Sequence, residues 1–147
     1  VYCTEYYPTI LLLGDNVFED SLSGIIEEYG KTERTTIGVY DVRNLELAKR
    51  YGIVEVDSDG RVSRFEEKPL NPRATLASVG MYIFSPDDLG RLSGYLSSGN
   101  AMDAPGNFVS WLVKESVVYA YILRGRWWDI DSIDSLREAE NYFRKNI

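Results

Sequence analysis

The chain has 147 residues, 44% of them hydrophobic and 27% charged, which is enough for one domain with a real core. A net charge of −7 argues against broad electrostatic binding of nucleic acid or an anionic membrane, and no apolar run approaches the roughly 20 residues that span a bilayer. The absence of histidine excludes imidazole catalysis and imidazole metal ligands; the single Cys3 excludes an internal disulfide and fits a reducing, cytoplasmic setting.

The opening VYCTEYYPT carries no initiator Met and leads straight into a strand, which reads as a fragment of a longer protein. Ile10–Leu13 is a continuous apolar run, expected as a strand buried on both faces, and Gly14-Asp15-Asn16 breaks it. Leu22, Ile25, Ile26 and Tyr29 follow at helical spacing, with Gly30 as the expected stop. Thr35–Val42 is β-branched and strand-like, and Asn44–Tyr51 reads as a short helix. Ile53, Val54 and Val56 face Val62 and Phe65 across Asp57-Ser58-Asp59-Gly60, a hairpin with Asp-Gly turn chemistry. Pro69 and Pro72 bracket a loop, and Ala77–Phe84 returns as a strand.

Ser85-Pro86 has the form of an N-cap followed by proline at the first helical position, with Asp87 and Asp88 favoured by the helix dipole. Residues 97–107 are expected as loop, Phe108–Glu115 as helix and Val117–Leu123 as strand. Arg124-Gly125-Arg126 turns the chain into Trp127–Ile130, and a helix over Ile133–Lys145 puts Leu136, Ala139, Tyr142 and Phe143 on one face. This order predicts an α/β fold in one domain over residues 1–147: a mixed, mostly parallel Rossmann-like sheet with flanking helices and a β-hairpin.

Several residues can carry chemistry, each with a plainer alternative. Asp15 lies just past a strand, where ligands gather in open α/β sheets. A carboxylate there suits Mg²⁺, and equally an Asx-turn or helix cap. Asp129, after Trp127-Trp128, again ends a short strand and has the same two readings. Glu67 and Lys68 sit together where Pro69 stops a strand, either gripping a ligand's hydroxyls and phosphate or forming an ordinary solvated pair. Gly52 and Gly80 are turn or strand glycines, or places where a ligand approaches the backbone. Tyr82 lies in an apolar strand and by default packs in the core.

Taken together, LLLGDNVF (11–18), YGIVEVDSDGRVSRFEEKP (51–69), ASVGMYIF (77–84), DAPGNFVSWL (103–112) and RWWDIDSIDSLREAENYF (126–143) resemble, in order and spacing, the sugar-1-phosphate nucleotidyltransferases of the glucose-1-phosphate thymidylyltransferase and uridylyltransferase group. The resemblance implies that a nucleoside triphosphate, dTTP or UTP, and a sugar 1-phosphate, expected as glucose 1-phosphate, yield a nucleotide sugar and pyrophosphate. It implies Asp15 and Asp129 as Mg²⁺ ligands and Asn16 near the sugar. It also implies Gly52 offering its backbone N–H to a sugar hydroxyl, Glu67 accepting from sugar hydroxyls and Lys68 pairing with the phosphate. Gly80 would give the ligand room and Tyr82 would line the pocket.

Two departures qualify the resemblance. Asp131-Ser132 stands where the family has Gly-Thr or Gly-Asp, adding a carboxylate by the expected metal site. The family's glycine-rich loop with its arginine and Lys-Pro pair, which holds the triphosphate, has no counterpart before Asp15. The chain therefore reads as the sugar-binding, C-terminal part of such a core, inactive alone. Its sheet edge is expected to be exposed, partly covered by Tyr2, Tyr6 and Tyr7, and prone to form homo-oligomers. A non-catalytic sugar-phosphate or regulatory module and a mannose 1-phosphate, GTP-using enzyme are the alternatives.

Overall fold

The computed structural model describes residues 7–100 and 103–146. The chain runs β1 (Thr9–Leu12), β2 (Asn16–Phe18), α1 (Leu22–Thr32), β3 (Thr36–Asp41), α2 (Leu45–Ala48), β4 (Gly52–Val56), β5 (Val62–Glu67) and β6 (Leu76–Phe84). It continues through α3 (Pro86–Gly90), α4 (Leu92–Ser97), α5 (Pro105–Glu115), β7 (Tyr119–Ile122), β8 (Trp127–Asp129) and α6 (Ile133–Asn146).

Strand β6 organises the fold. Its alternation sends Val79, Met81 and Ile83 into one apolar cluster with Ile25 of α1. Tyr82 and Phe84 go into another with Phe108, Val109 and Leu112 of α5. A strand apolar on both faces is thereby covered by a helix on each side. Truncating a core residue such as Leu112 to Ala would cost about 2–5 kcal/mol.

One edge of β6 is held by β3, from Thr36↔Ile83 to Asp41↔Leu76. The other edge is shared: β1 pairs with residues 81–84 and β4 with residues 76–77. The C-terminal end of β1 and the N-terminal end of β4 therefore face each other across Ser78–Gly80, leaving a fork in the sheet. β5 flanks β4, and β7 flanks β3, completing a six-stranded sheet. The mixed α/β architecture agrees with the sequence reading, but the expected parallel majority does not. β3·β7 is the one parallel pair among the described residues, because the β4–β5 connection is a tight hairpin and β6 runs against β1, β3 and β4.

The hairpin turn forms as its composition dictates. Asp57 Oδ1 accepts from the N–H groups of Asp59 and Arg61, both at 2.9 Å, and Gly60 adopts φ 80°. Ser85 caps α3 with Pro86 in its first turn. Asp88 does more than favour the dipole: it is buried and accepts from the Thr35 hydroxyl at 2.6 Å.

Other local expectations need correction. α1 runs through Gly30, and Glu33 takes the left-handed terminal position (φ 53°), its N–H donating to the Tyr29 carbonyl. α5 starts at Pro105, three positions ahead of Phe108, because proline suits the first helical turn. β1 is not buried on both faces: Ile10 and Leu12 are 42% and 41% exposed, since β6 is its one strand partner among the described residues. Tyr7 does not cover this region, being 70% exposed; Tyr2 and Tyr6 lie outside the described residues. No helix of the described residues is long and apolar enough to cross a membrane.

Candidate active site

The fork opens into a cleft of about 310 Å³. All eight residues singled out from the sequence line it: Asp15, Asn16 and Asp129 at one end, Gly52, Glu67 and Lys68 at the other, and Gly80 and Tyr82 along β6 between them.

The aspartate end depends on a strand pairing the sequence did not announce, although a short strand ending at Asp129 was expected. β2 and β8, three residues each, form an antiparallel ribbon in the register Asn16↔Asp129, Val17↔Trp128, Phe18↔Trp127. That register sets Asp15 and Asp129 side by side, and the Ile130 N–H donates to the Asp15 carbonyl at 2.8 Å. Asn16 is fixed at both ends of its amide. It donates to Asp15 Oδ1 at 2.7 Å and accepts from Trp127 Nε1 at 2.8 Å. The Trp127 ring meets Tyr51 edge-on, centroids 5.0 Å apart.

A carboxylate clamp steadies the turn that leads into β8. Asp20 accepts from the backbone N–H groups of Arg124 and Gly125, and Glu19 accepts from that of Arg126. Three successive donors of one turn are thus held by two neighbouring side chains.

Burial pushes the Asp129 carboxyl above its ordinary range, with Asp131 and Asp15 adding to the rise, while Arg50 and a hydrogen bond from Tyr51 oppose it. A desolvated carboxylate next to another calls for a cation. Among the described residues no three side chains of His, Cys, Asp or Glu gather as a metal cage. Two carboxylates with ligand oxygens filling the remaining positions is a donor set that fits Mg²⁺. The added Asp131 is engaged by an ion pair from Arg50. Desolvation raises its carboxyl, but Arg50 and hydrogen bonds from Ser132 and Ser135 outweigh this and hold it below the usual value.

The other end grows out of the hairpin. Gly52 pairs with Glu67 across β4 and β5. Lys68 then turns off the strand at φ 45°, its N–H donating to the Tyr51 carbonyl at 3.0 Å, and Pro69 prevents the strand from continuing. A left-handed lysine costs about 1–2 kcal/mol and persists here because that hydrogen bond and the following proline impose it. Among the described residues the Lys68 ammonium forms no ion pair. Burial raises the Glu67 carboxyl; Lys68 opposes the rise and Asp103 adds to it.

Between the two ends, Gly80 has φ 67°, and a Cβ there would fall 2.9 Å from Leu13 Cβ and 3.0 Å from Asn16 Nδ2. Glycine is required where the chain after β1 crosses β6; the Leu13 N–H donates to the Gly80 carbonyl at 2.9 Å. Tyr82 belongs to both the core and the cleft wall. Its ring stacks on Phe84 in the core, while its hydroxyl accepts from Ser78 at 3.2 Å at the cleft wall.

The sequence reading missed Arg50, Tyr51, Ser78, Trp127 and Gly106 as cleft residues. Arg50 and Tyr51 were placed inside a helix that ends at Ala48, so their role as a connection into β4 was hidden. The adjacent Gly52 was the available signal.

Fold and site together define an α/β protein with a cleft beside its central strand, carboxylates at one end and, at the other, a lysine that forms no ion pair among the described residues. The sequence profile described as Nucleotidyl transferase matches residues 2–146, and the chain belongs to that family. It is 36% identical over 144 residues to a glucose-1-phosphate adenylyltransferase of Clostridium acetobutylicum, covering 94% of this chain and 37% of the relative. It is 32% identical to one of Mycoplasma mobile, covering 99% and 39%. A crystal structure of UDP-glucose pyrophosphorylase complexed with UDP-glucose shares the fold with a TM-score of 0.79 at 24% identity, over 95% of this chain and 57% of that one. The chain thus spans less than two fifths of the length of these curated relatives.

Proposed function

We propose that this chain is the sugar-phosphate-binding portion, in a single domain, of a cytoplasmic, Mg²⁺-dependent sugar-1-phosphate nucleotidyltransferase. The observation that carries this reading is the β2–β8 register, which brings two carboxylates to the far end of a cleft that Glu67 and Lys68 also line.

In this reading the sugar lies along β6. Glu67 accepts hydrogen bonds from its hydroxyls, Gly52 donates its N–H, Gly80 gives it room, and Tyr82 and Asn16 border it. Lys68, a compact point charge, neutralises its phosphate. Asp15 and Asp129 hold Mg²⁺, which when bound neutralises phosphate charge and polarises the reacting phosphoryl group. The sugar phosphate oxygen forms a bond to the α-phosphorus of the triphosphate as the α–β bridging bond breaks and pyrophosphate leaves. Little covalent work falls to the protein: positioning two anions and offsetting their charge supplies the catalysis.

The sugar is read as glucose 1-phosphate, which appears in the names of both curated relatives. Those relatives support ATP as the nucleotide over the dTTP or UTP expected from sequence. In this reading the triphosphate is held outside the described residues, so this chain binds sugar phosphate and turns over little alone. The exposed Ile10, Leu11 and Leu12 on β1 make self-association the expected state in solution.

Calorimetric titration with glucose 1-phosphate, with pyrophosphate release measured in parallel, tests the proposal. Saturable binding with negligible release from ATP, dTTP or UTP is expected. No binding sinks the sugar-phosphate assignment, and robust Mg²⁺-dependent release by this chain alone sinks the division of labour.

A further inference from the structure

The carboxylate of Glu67 occupies a space left by two missing side chains. A Cβ built on Gly52 would fall 3.0 Å from Glu67 Oε2, and one built on Gly106 would fall 2.2 Å from the same atom. Gly52 is at the start of β4, paired with Glu67; Gly106 is in the first turn of α5, buried against the cleft. The two glycines arrive from unrelated parts of the chain and flank one oxygen. They are not equivalent. A Cβ at position 52 would also fall 2.5 Å from the tip of the Phe65 ring, which is core. At position 106 the nearest Phe65 atom is 3.3 Å away, and the severe contact is with Glu67 alone.

We infer that Gly106 is a positioning residue, which seats the Glu67 carboxylate in the cleft by having no side chain of its own. The inference rests on the sugar-phosphate reading of Glu67 given above.

The physical case turns on which partner yields. Glycine in a helix forfeits stability relative to alanine, and φ at Gly106 is not in the left-handed region, so the backbone does not require it there. The atom a methyl group would strike is the free end of a flexible side chain. The conflict is therefore relieved by Glu67 rotating out of the cleft, not by α5 unwinding. Burial, which raises the Glu67 carboxyl, would be lost with that rotation.

Gly106→Ala is the decisive variant, read in three ways. Its thermal midpoint should equal or exceed that of the parent, since alanine favours the helix. Its affinity for glucose 1-phosphate should fall about tenfold or more, the loss expected for a displaced charged acceptor. The Glu67 carboxyl, followed by carbon-13 NMR against pH, should move down toward its ordinary value. In a Glu67→Ala background Gly106→Ala should change affinity no further, which a merely structural defect would not achieve.

Parent-like affinity and titration in Gly106→Ala, or an equal loss in both backgrounds, overturns the inference. If Gly106→Ala fails to fold, restoration by Glu67→Ala supports the inference, and lack of restoration overturns it. If the parent itself binds no glucose 1-phosphate, the functional reading fails, while the NMR titration still decides where Glu67 sits.

Discussion

At one end of the cleft, Glu67 and Lys68 close a hairpin whose strands are joined by the 57–61 turn. At the other, Asp15 and Asp129 meet only because β2 pairs with β8 across most of the chain. The first end is a local structure: strand, turn, strand and a proline stop place the two charges wherever the hairpin docks. The second is a product of topology and of the Glu19–Asp20 clamp on the turn before β8. The local end uses one lysine, Lys68, which has a left-handed backbone and no ion pair among the described residues; the distant end uses two carboxylates, with Asp15 raising the Asp129 carboxyl. In the proposed reading, one end takes the anion and the other the cation. Perturbing either should leave the other standing.

The largest effect is expected at the local end. Lys68→Ala removes the unpaired ammonium and should cost about 2–3 kcal/mol of glucose 1-phosphate affinity, roughly a hundredfold by calorimetry. Mg²⁺ binding by the aspartates should be nearly unchanged. Lys68→Gly should lose the same affinity while relieving a left-handed backbone cost of about 1 kcal/mol, so its thermal midpoint should not fall. A parallel loss of Mg²⁺ binding in either variant would show that the two ends are not independent.

Next in size is Asp129→Asn. It should abolish the stabilisation that millimolar Mg²⁺ gives the parent in thermal melts, because one carboxylate alone is a poor magnesium site. Without Mg²⁺ the same variant should melt no lower than the parent. It relieves a carboxylate that burial and its neighbours Asp131 and Asp15 disfavour in the ionised form. A lower melting temperature without the metal would identify Asp129 as a structural residue.

These two ends differ in how far they were legible. The hairpin, the Ser85-Pro86 cap and the Glu67-Lys68-Pro69 elbow are written in neighbouring residues, and each formed where composition and turn chemistry put it. The β2–β8 ribbon is three residues per strand, too short for period-two alternation to register, and its pairing is a property of the assembled sheet. Gly30 was misread for a related reason: the helix end was decided by Glu33 and packing, not by the strongest local breaker. The apolar run Ile10–Leu13 correctly predicted a strand, but burial is set by neighbours, and β1 has one among the described strands. Gly106 lay at the edge of a segment read as loop, and nothing local marks a glycine whose purpose is to make room for a residue of another strand.

The pH dependence offers a finer comparison. Burial raises both the Glu67 and the Asp129 carboxyl in the folded state. A carboxyl with a raised folded value binds its proton more tightly folded than unfolded. Rising pH therefore costs stability between the ordinary carboxylate range and the raised folded value. Glu19, Asp41 and Asp131 are lowered and contribute with the opposite sign, so the test is a difference between variant and parent. Glu67→Gln and Asp129→Asn should each flatten part of the fall in stability as pH rises, measured by denaturant melts. Mg²⁺ should mimic Asp129→Asn in the parent and have no such effect once that substitution is made. A fall that steepens in either variant would reverse the assignment of burial as the cause.

The smallest effect separates Asp129 from Asp131, two residues further on. Asp131 is exposed and paired with Arg50, and such pairs contribute only about 0–1 kcal/mol, so Asp131→Asn should leave the thermal midpoint almost unchanged. Its influence on Mg²⁺ should be larger than its influence on stability. As a pair, Arg50 and Asp131 present little net charge to the aspartate end; without Asp131, the guanidinium stands unneutralised beside a cation site. A positive charge left unneutralised beside the site repels the cation, so Mg²⁺ affinity should fall several-fold or more. Removing Arg50 as well, as Arg50→Gln with Asp131→Asn, restores neutrality and should return Mg²⁺ affinity toward that of the parent. If Asp131→Asn instead abolishes Mg²⁺ binding outright and the double variant does not recover it, Asp131 is itself a magnesium ligand. The aspartate end would then be a three-carboxylate site whose members draw together only when the metal binds.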